Sequence, residues 1–181
     1  MSEPTFVPKT VNVIYIAATP EKLWAALTSA EFTRQYFFGR SVEIEQKVGG
    51  SFILRMPDGR VDVEGKVKEC DPPRRLSVTW RVMWIEEMRK LPDCLVTYQI
   101  DALGDAVRLT MSESHQWDVP EAILAGGRQG WPVILSCLKS LLETGKPLVV
   151  KLEPPKEMLD AVKRQTSGAP EIGRASCRER V

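Results

Sequence analysis

The middle of the chain, residues 41–114, consists of short segments in which apolar and polar side chains alternate. In one segment Leu76, Val78 and Trp80 alternate with Ser77 and Thr79. A period of two places successive side chains on opposite faces, which is typical of a half-buried strand. Turn-forming Gly-Gly, Pro-Asp-Gly and Pro-Pro sequences separate several of the segments. We therefore predict consecutive strands over residues 41–46, 51–56, 61–69, 76–84, 94–102 and 106–114.

A helical period follows these strands near the C-terminal end. Residues 130–145 place apolar side chains at spacings of three and four, so that they share one helix face. We expect Pro132 in the first turn of this helix and Gly145 at its end. Residues 115–128, which contain Pro120, Gly126 and Gly127, are predicted to be a loop.

The N-terminal part predicts a strand followed by two short helices. Residues 10–17 are rich in Val and Ile and are predicted to be a strand. Thr19 and Pro20 are typical of the N-cap and first position of a helix, and a second short helix is predicted to end near Tyr36. Because consecutive strands with short turns pair as neighbours, this order predicts an α+β fold. In it, a curved antiparallel sheet wraps around the long C-terminal helix.

The chain is predicted to contain one domain with short extensions. Residues 10–150 form the predicted domain, and residues 1–9 a flexible arm. Residues 151–170 are expected to extend the domain, with a short amphipathic helix over 156–164. Residues 171–181 have no apolar period and are predicted to be a non-native tail outside the fold.

Charge and hydropathy exclude several classes of function. The formal net charge of the 181 residues is +1, with acidic and basic residues intermixed. Such a balance does not favour nucleic acid as a partner. We find no apolar run of roughly 18 residues, as a membrane-spanning helix requires, and no signal-peptide pattern. A cytoplasmic protein without a membrane span is therefore predicted.

The cysteine and histidine positions predict neither a metal site nor a cofactor. Cys70, Cys94, Cys137 and Cys177 are dispersed, and none forms a Cys-x-x-Cys pair. The single histidine, His115, is far from each of them along the chain. We also find no glycine-rich phosphate loop and no Gly-x-Ser-x-Gly sequence. Free thiols and no bound cofactor are the expectation.

Several short sequences resemble a known superfamily. They are Ala-Ala-Thr-Pro-Glu-Lys-Leu-Trp at 17–24, Val-Gly-Gly-Ser-Phe at 48–52, Pro-Pro-Arg-Arg-Leu at 72–76 and Gly-Trp-Pro at 130–132. In this arrangement the chain resembles the START-like, or SRPBCC, superfamily with the helix-grip fold of the birch-pollen allergen. Within it, the chain is most similar to homologues of the activator of the heat-shock-protein ATPase. The resemblance covers approximately residues 10–146.

The resemblance implies a cavity between the sheet and the last helix, since members bind lipids, sterols, polyketides or plant hormones and some are cyclases. Our first hypothesis is binding of a small apolar or aromatic molecule, such as a lipid. The second is a cyclase-type or hydrolase-type enzyme that uses His115 and Glu113. The third is a chaperone-cofactor-like module with a chaperone partner. A homodimer is also expected.

The alternating pattern also selects candidate residues for the cavity. His115 and Glu113 share strand parity with Val107, Leu109 and Met111, which predicts that both face inward. Each has two interpretations, a structural role or a role in the cavity. The apolar set is likewise either ordinary core or a ligand-binding wall. Its members are Phe37, Phe38, Phe52, Leu54, Val78, Trp80, Trp84, Tyr98, Met111, Trp117, Trp131, Ile134, Leu135 and Leu138.

Overall fold

In the computed structural model, residues 5–167 are described, and they form a sheet that packs on helices. The strands are β1 (Val7–Ile16), β2 (Ser41–Ile44), β3 (Ser51–Arg55), β4 (Val61–Asp71), β5 (Arg75–Val82), β6 (Cys94–Leu103) and β7 (Ala106–His115). The helices are α1 (Pro20–Thr28), α2 (Ala30–Tyr36), α3 (Glu121–Thr144) and α4 (Lys156–Ser167), with a 3₁₀ helix at Glu87–Lys90.

The seven strands form one antiparallel sheet in the order β1-β7-β6-β5-β4-β3-β2. Each strand from β2 to β7 pairs with its neighbour in sequence, as predicted, and β1 joins the far edge beside β7. Register shifts interrupt the ladders in β1, β3 and β4, and such irregularities bend a sheet. The curved sheet and the long helix confirm the predicted α+β helix-grip architecture.

Some predicted boundaries are shifted. Strand β1 begins at Val7, so the last residues of the predicted arm belong to the sheet. Strand β5 ends at Val82, which leaves Trp84 in the connection that leads to the 3₁₀ helix. The helix predicted over 156–164 is confirmed as α4. The predicted tail, 171–181, lies outside the described residues.

The largest correction concerns α3, which begins at Glu121 and includes most of the stretch predicted to be a loop. Its N-cap is Pro120, and Pro132 lies inside the helix instead of in its first turn. The prediction was wrong because we interpreted Gly126 and Gly127 as loop residues.

These glycines instead permit close packing in the first half of α3. A Cβ atom at Gly126 would lie 2.2 Å from Met158 Sδ of α4. One at Gly127 would lie 2.5 Å from Glu113 Oε2 of β7, whereas nothing lies within 4 Å of one at Gly130. The first half of α3 therefore sits against α4 and the end of β7.

Two apolar clusters follow from this arrangement. The larger cluster lies between the sheet, α1, α2 and the second half of α3, and includes Leu23, Leu109 and Leu138 without exposed surface. The smaller cluster joins the first half of α3 to α4 and contains Leu124 and Val162. None of the helices within residues 5–167 is both long and apolar enough to cross a membrane.

The glycine contacts predict opposite effects of the same substitution at two positions of α3. Gly130→Ala should stabilise the protein by about 0.5–1 kcal/mol, because alanine loses less backbone freedom in a helix. Gly127→Ala should destabilise it by roughly 1–3 kcal/mol, because the new methyl group displaces the hydrogen-bonded Glu113 carboxylate. Urea unfolding of both variants measures the difference, and equal effects would contradict the close approach at Gly127.

Candidate functional site

A cavity of about 600 Å³ opens between the sheet and the first half of α3. Its walls come from the connection after α2, from strands β4 to β7, from α3 and from the segment that leads into α4. The predicted cavity residues that line it are Phe37, Phe38, Trp80, Trp84, Trp117, Trp131 and Ile134.

The other predicted residues are buried in the larger apolar cluster and do not line the cavity. They are Phe52, Leu54, Val78, Tyr98, Met111, Leu135 and Leu138. These residues are in the core because the second half of α3 packs directly against the sheet and fills the space there. Strand parity predicts which side chains face the helix, but it does not predict where the helix stands away from the sheet.

Part of the wall comes from segments that the sequence did not indicate. Met88 and Leu91 line the cavity from the connection between β5 and β6, and Leu152, Pro154 and Met158 line it from the C-terminal extension. The only sequence signal was the apolar face of the helix predicted over 156–164. An apolar face predicts that α4 packs against another element of the fold, but it does not predict which element.

Three aromatic rings that touch one another form part of the cavity wall. Trp80 and Trp131 have ring centroids 5.3 Å apart, and Phe37 lies 6.2 Å from Trp80. Phe37 meets Trp131 edge-on at 6.1 Å, a favourable arrangement for two aromatic rings. Strand β5, helix α3 and the turn after α2 each contribute one ring, so the cluster depends on their tertiary packing.

A buried polar pair lies beside these rings at the end of β7. Glu113 Oε1 lies 2.9 Å from His115 Nε2, and Glu113 Oε2 accepts a hydrogen bond of 2.8 Å from Trp131 Nε1. The side chains of His115 and Glu113 are only 10% and 12% exposed. Both side chains line the cavity, so both face inward as strand parity predicted.

Two ring nitrogens in the cavity wall have no protein partner. His115 Nδ1 and Trp117 Nε1 are buried, and neither forms a hydrogen bond within the described part of the chain. Buried polar nitrogens are usually satisfied, so each unsatisfied one calls for an explanation, such as a catalytic role or a bound ion. Of the two ring nitrogens of His115, Nε2 has a hydrogen-bond partner within the described residues and Nδ1 has none.

Cys94 lies close to this pair, although it is far from His115 along the chain. The sulfur of Cys94 and one ligand atom each of Glu113 and His115 lie within 4.8 Å of one another. Burial raises the pKa of the Cys94 thiol well above its usual value, and the nearby charge of Glu113 adds to this shift. The thiol donates to the Trp80 carbonyl oxygen, 3.6 Å away.

Arg40 and Asp62 form an ion pair that also lines the cavity. Arg40 Nε donates a hydrogen bond to Asp62 Oδ2, and the Asp62 side chain is 5% exposed. Burial raises the pKa of Asp62, whereas the Arg40 guanidinium acts to lower it. The Arg40 guanidinium also lies 5.9 Å from the centre of the Phe38 ring.

The fold and its inner cavity define a helix-grip protein, and comparison of the sequence with known families identifies which one. Residues 17–143 match the family described as Activator of Hsp90 ATPase homolog 1-like protein. Because the match covers more than half of the chain, the chain belongs to this family. A search of curated proteins found no significant match.

Solved structures share the fold. Protein MLL2253 from Mesorhizobium loti is 25% identical, with a TM-score of 0.60, over 74% of this chain and 96% of that one. The Aha1 dimer from Colwellia psychrerythraea is 21% identical, with a TM-score of 0.59, over 75% and 96%. The HSP90 activator PFC0360w from Plasmodium falciparum is 20% identical, with a TM-score of 0.54, over 67% and 86%.

The hydrogen bond between Trp131 and Glu113 predicts a measurable coupling. Trp131→Phe, Glu113→Ala and the double variant form a mutant cycle, and urea unfolding should give a coupling of about 1.5–3 kcal/mol, because the acceptor is a carboxyl group. The control cycle pairs Trp24 with Gln46, where Trp24 Nε1 donates to a neutral amide oxygen at 2.9 Å. Its coupling should be smaller, about 1 kcal/mol. Equal couplings in the two cycles would contradict a stronger hydrogen bond at the Glu113 carboxyl group than at the Gln46 amide.

The Arg40–Asp62 pair predicts a pH-dependent loss of stability. Arg40→Met leaves the Asp62 carboxylate buried without its partner, which should cost about 3 kcal/mol near neutral pH. The substitution also raises the pKa of Asp62 further, so the folded state holds the proton more tightly than the unfolded state. The loss should therefore be small below the ordinary carboxyl pKa and should grow as the pH rises through the raised one.

Urea unfolding at a series of pH values tests this dependence. The matched control is Arg60→Met, which breaks an ion pair with Asp58 in which both side chains are more than half exposed. This control should change stability little at any pH, because exposed pairs contribute little. A loss in Arg40→Met that does not vary with pH would contradict the buried ion pair.

Proposed function

We propose that the chain binds a small apolar or aromatic molecule in the cavity between the sheet and α3. The observation that carries this proposal is a cavity of about 600 Å³ walled by the rings of Phe37, Trp80 and Trp131, with a buried polar pair beside them. Cavities of roughly 300–1,000 Å³ with apolar walls and a few polar groups are typical of small-molecule sites.

The backbone at Phe38 supports this role. Phe38 has a φ of 50°, in the left-handed region that large side chains rarely adopt. Its ring lines the cavity beside Arg40. Such conformations concentrate at ligand-binding sites, where the surrounding structure holds them against their strain. Phe38 is accordingly proposed as part of the entrance.

The polar pair favours a ligand that carries one polar group among apolar atoms. Glu113 and His115 lie in a wall that is otherwise mostly apolar, and a hydroxyl, carbonyl or N–H group of the ligand would pair with them. Since an unpaired buried polar group is costly, this pairing would select for such ligands over pure hydrocarbons.

A second candidate function is acid–base catalysis of a cyclase or hydrolase type. The 2.9 Å contact between His115 Nε2 and Glu113 Oε1 favours it, because a carboxylate that orients an imidazole is a common arrangement for a general base. Substituting His115 by Ala separates the two functions. If His115 is catalytic, the His115→Ala variant should lose substrate turnover. If His115 only contacts the ligand, the variant should bind the ligand more weakly.

A third candidate is a chaperone-cofactor-like interaction, which the family description and the HSP90 activator from Plasmodium suggest. Val11, Val13 and Tyr15 on β1 favour it, because they are 57%, 49% and 56% exposed on an edge strand. Alternate residues on a strand share one face, so these side chains form an apolar row. Such a row suits a protein partner or a second copy of the chain.

The binding proposal predicts that filling the cavity abolishes binding without unfolding the protein. Gly130 lines the cavity one helical turn before Ile134, and nothing lies within 4 Å of an added Cβ atom there. Gly130→Phe should therefore bind the aromatic dye anilinonaphthalene sulfonate at least tenfold more weakly than the wild type. Gly130→Ala is the control and should bind it normally. Fluorescence titration measures both affinities.

Native mass spectrometry of the freshly purified protein, beside a solvent extract of the same sample, then identifies the natural ligand. The expected result is an added mass of a drug-sized molecule that the Gly130→Phe variant lacks. Dye binding that is equal in both Gly130 variants, with no added mass in the wild type, would contradict the proposal and favour the protein-partner alternative.

A further inference from the structure

We propose that Cys94, Glu113 and His115 form a binding site for a divalent transition-metal cation of the zinc class in the cavity wall. The three side chains offer a sulfur, a carboxylate oxygen and an imidazole nitrogen, all within 4.8 Å of one another. This mixture of ligands is typical of zinc, whereas magnesium and calcium prefer oxygen alone. The proposal is independent of which molecule occupies the cavity.

The pairing of β6 with β7 brings the three residues together. Leu95 pairs with Ser114 across the ladder, so Cys94 and His115 occupy the next opposite positions. Side chains opposite each other in an antiparallel pair share a face, and Glu113 is two residues from His115 on that same face. The ligands therefore stand on two hydrogen-bonded strands, which hold their positions more rigidly than loops would.

The neighbours of the cluster support coordination. Trp131 Nε1 donates to Glu113 Oε2, which fixes the carboxylate and leaves Oε1 directed at His115. In metal sites, such outer hydrogen bonds orient the ligating side chains. The Cys94 thiol donates a weak hydrogen bond to the Trp80 carbonyl oxygen. A cation bound between the three side chains would replace the direct contact between His115 Nε2 and Glu113 Oε1.

Charge balance also favours a divalent cation. A thiolate from Cys94 and the Glu113 carboxylate carry two negative charges, which a divalent cation neutralises beside a neutral imidazole. A buried group of charges is tolerated when it is paired in this way. Coordination by the Cys94 sulfur requires the thiolate, so the thiol proton would leave when the cation binds.

The site would leave one coordination position for the cavity. Zinc commonly takes four ligands, and sites with three protein ligands keep the fourth position for water or another oxygen ligand. All three residues line the cavity, so that position would face a bound molecule. The cation would then recognise a hydroxyl, carbonyl or carboxylate oxygen of that molecule.

Cobalt(II) titration of the full chain under reducing conditions tests the site. The wild type should bind one equivalent and develop the ultraviolet charge-transfer absorption of a cobalt–thiolate bond. Cys94→Ser should lose this absorption, and His115→Ala should weaken binding at least tenfold. The matched controls are Cys137→Ser, which changes another buried cysteine, and Cys177→Ser; both should retain the absorption.

Further measurements distinguish a lost cation site from a folding defect and identify the ligands. Circular dichroism and thermal unfolding of each cation-free variant show whether it folds. X-ray absorption of the zinc-loaded wild type should show one sulfur and the remaining ligands nitrogen or oxygen. No thiolate absorption in the wild type, an absorption that survives in Cys94→Ser, or a zinc site with no sulfur or several would overturn the proposal.

Discussion

The packing of Trp131 against the end of the sheet is the contact on which the site depends. Its indole ring meets Phe37, Trp80 and Tyr98, and its N–H donates to the buried Glu113 carboxylate. One side chain thus joins α3 to β5, β6 and β7 through apolar and polar contacts together. The hydrogen bond has the greater directional requirement, so it fixes the Trp131 ring and the Glu113 carboxyl group relative to each other.

The cavity results from a difference between the two halves of α3. The second half presents branched side chains and packs on the sheet, whereas the first half contains Gly126, Gly127 and Gly130. Small residues let α4 and the end of β7 approach the helix on two sides, and they leave open space on another. The C-terminal extension then forms part of the cavity wall, which makes α4 part of the site.

Membership of the Hsp90-activator homologue family accounts for the fold but leaves the chemistry of the cavity to particular residues. In this chain those residues are the aromatic rings and a buried cluster of Cys94, Glu113 and His115. In the proposed binding role, the rings would supply non-directional affinity, whereas the cluster would supply directional bonds to a polar atom. The rings and the cluster line the same cavity, so one molecule in it would contact both.

By itself, the sequence determined the pairing of consecutive strands from β2 to β7, the inward direction of Glu113 and His115 and the second half of α3. These follow from local periodicity, because side-chain direction in a strand or helix repeats every few residues. Tertiary structure decided the rest. It determined that the glycines belong to a helix, that Trp80 lines a cavity while Val78 fills the core, and that Cys94 meets His115. These features depend on contacts between residues distant in the chain, and sequence spacing does not encode the distance between packed elements.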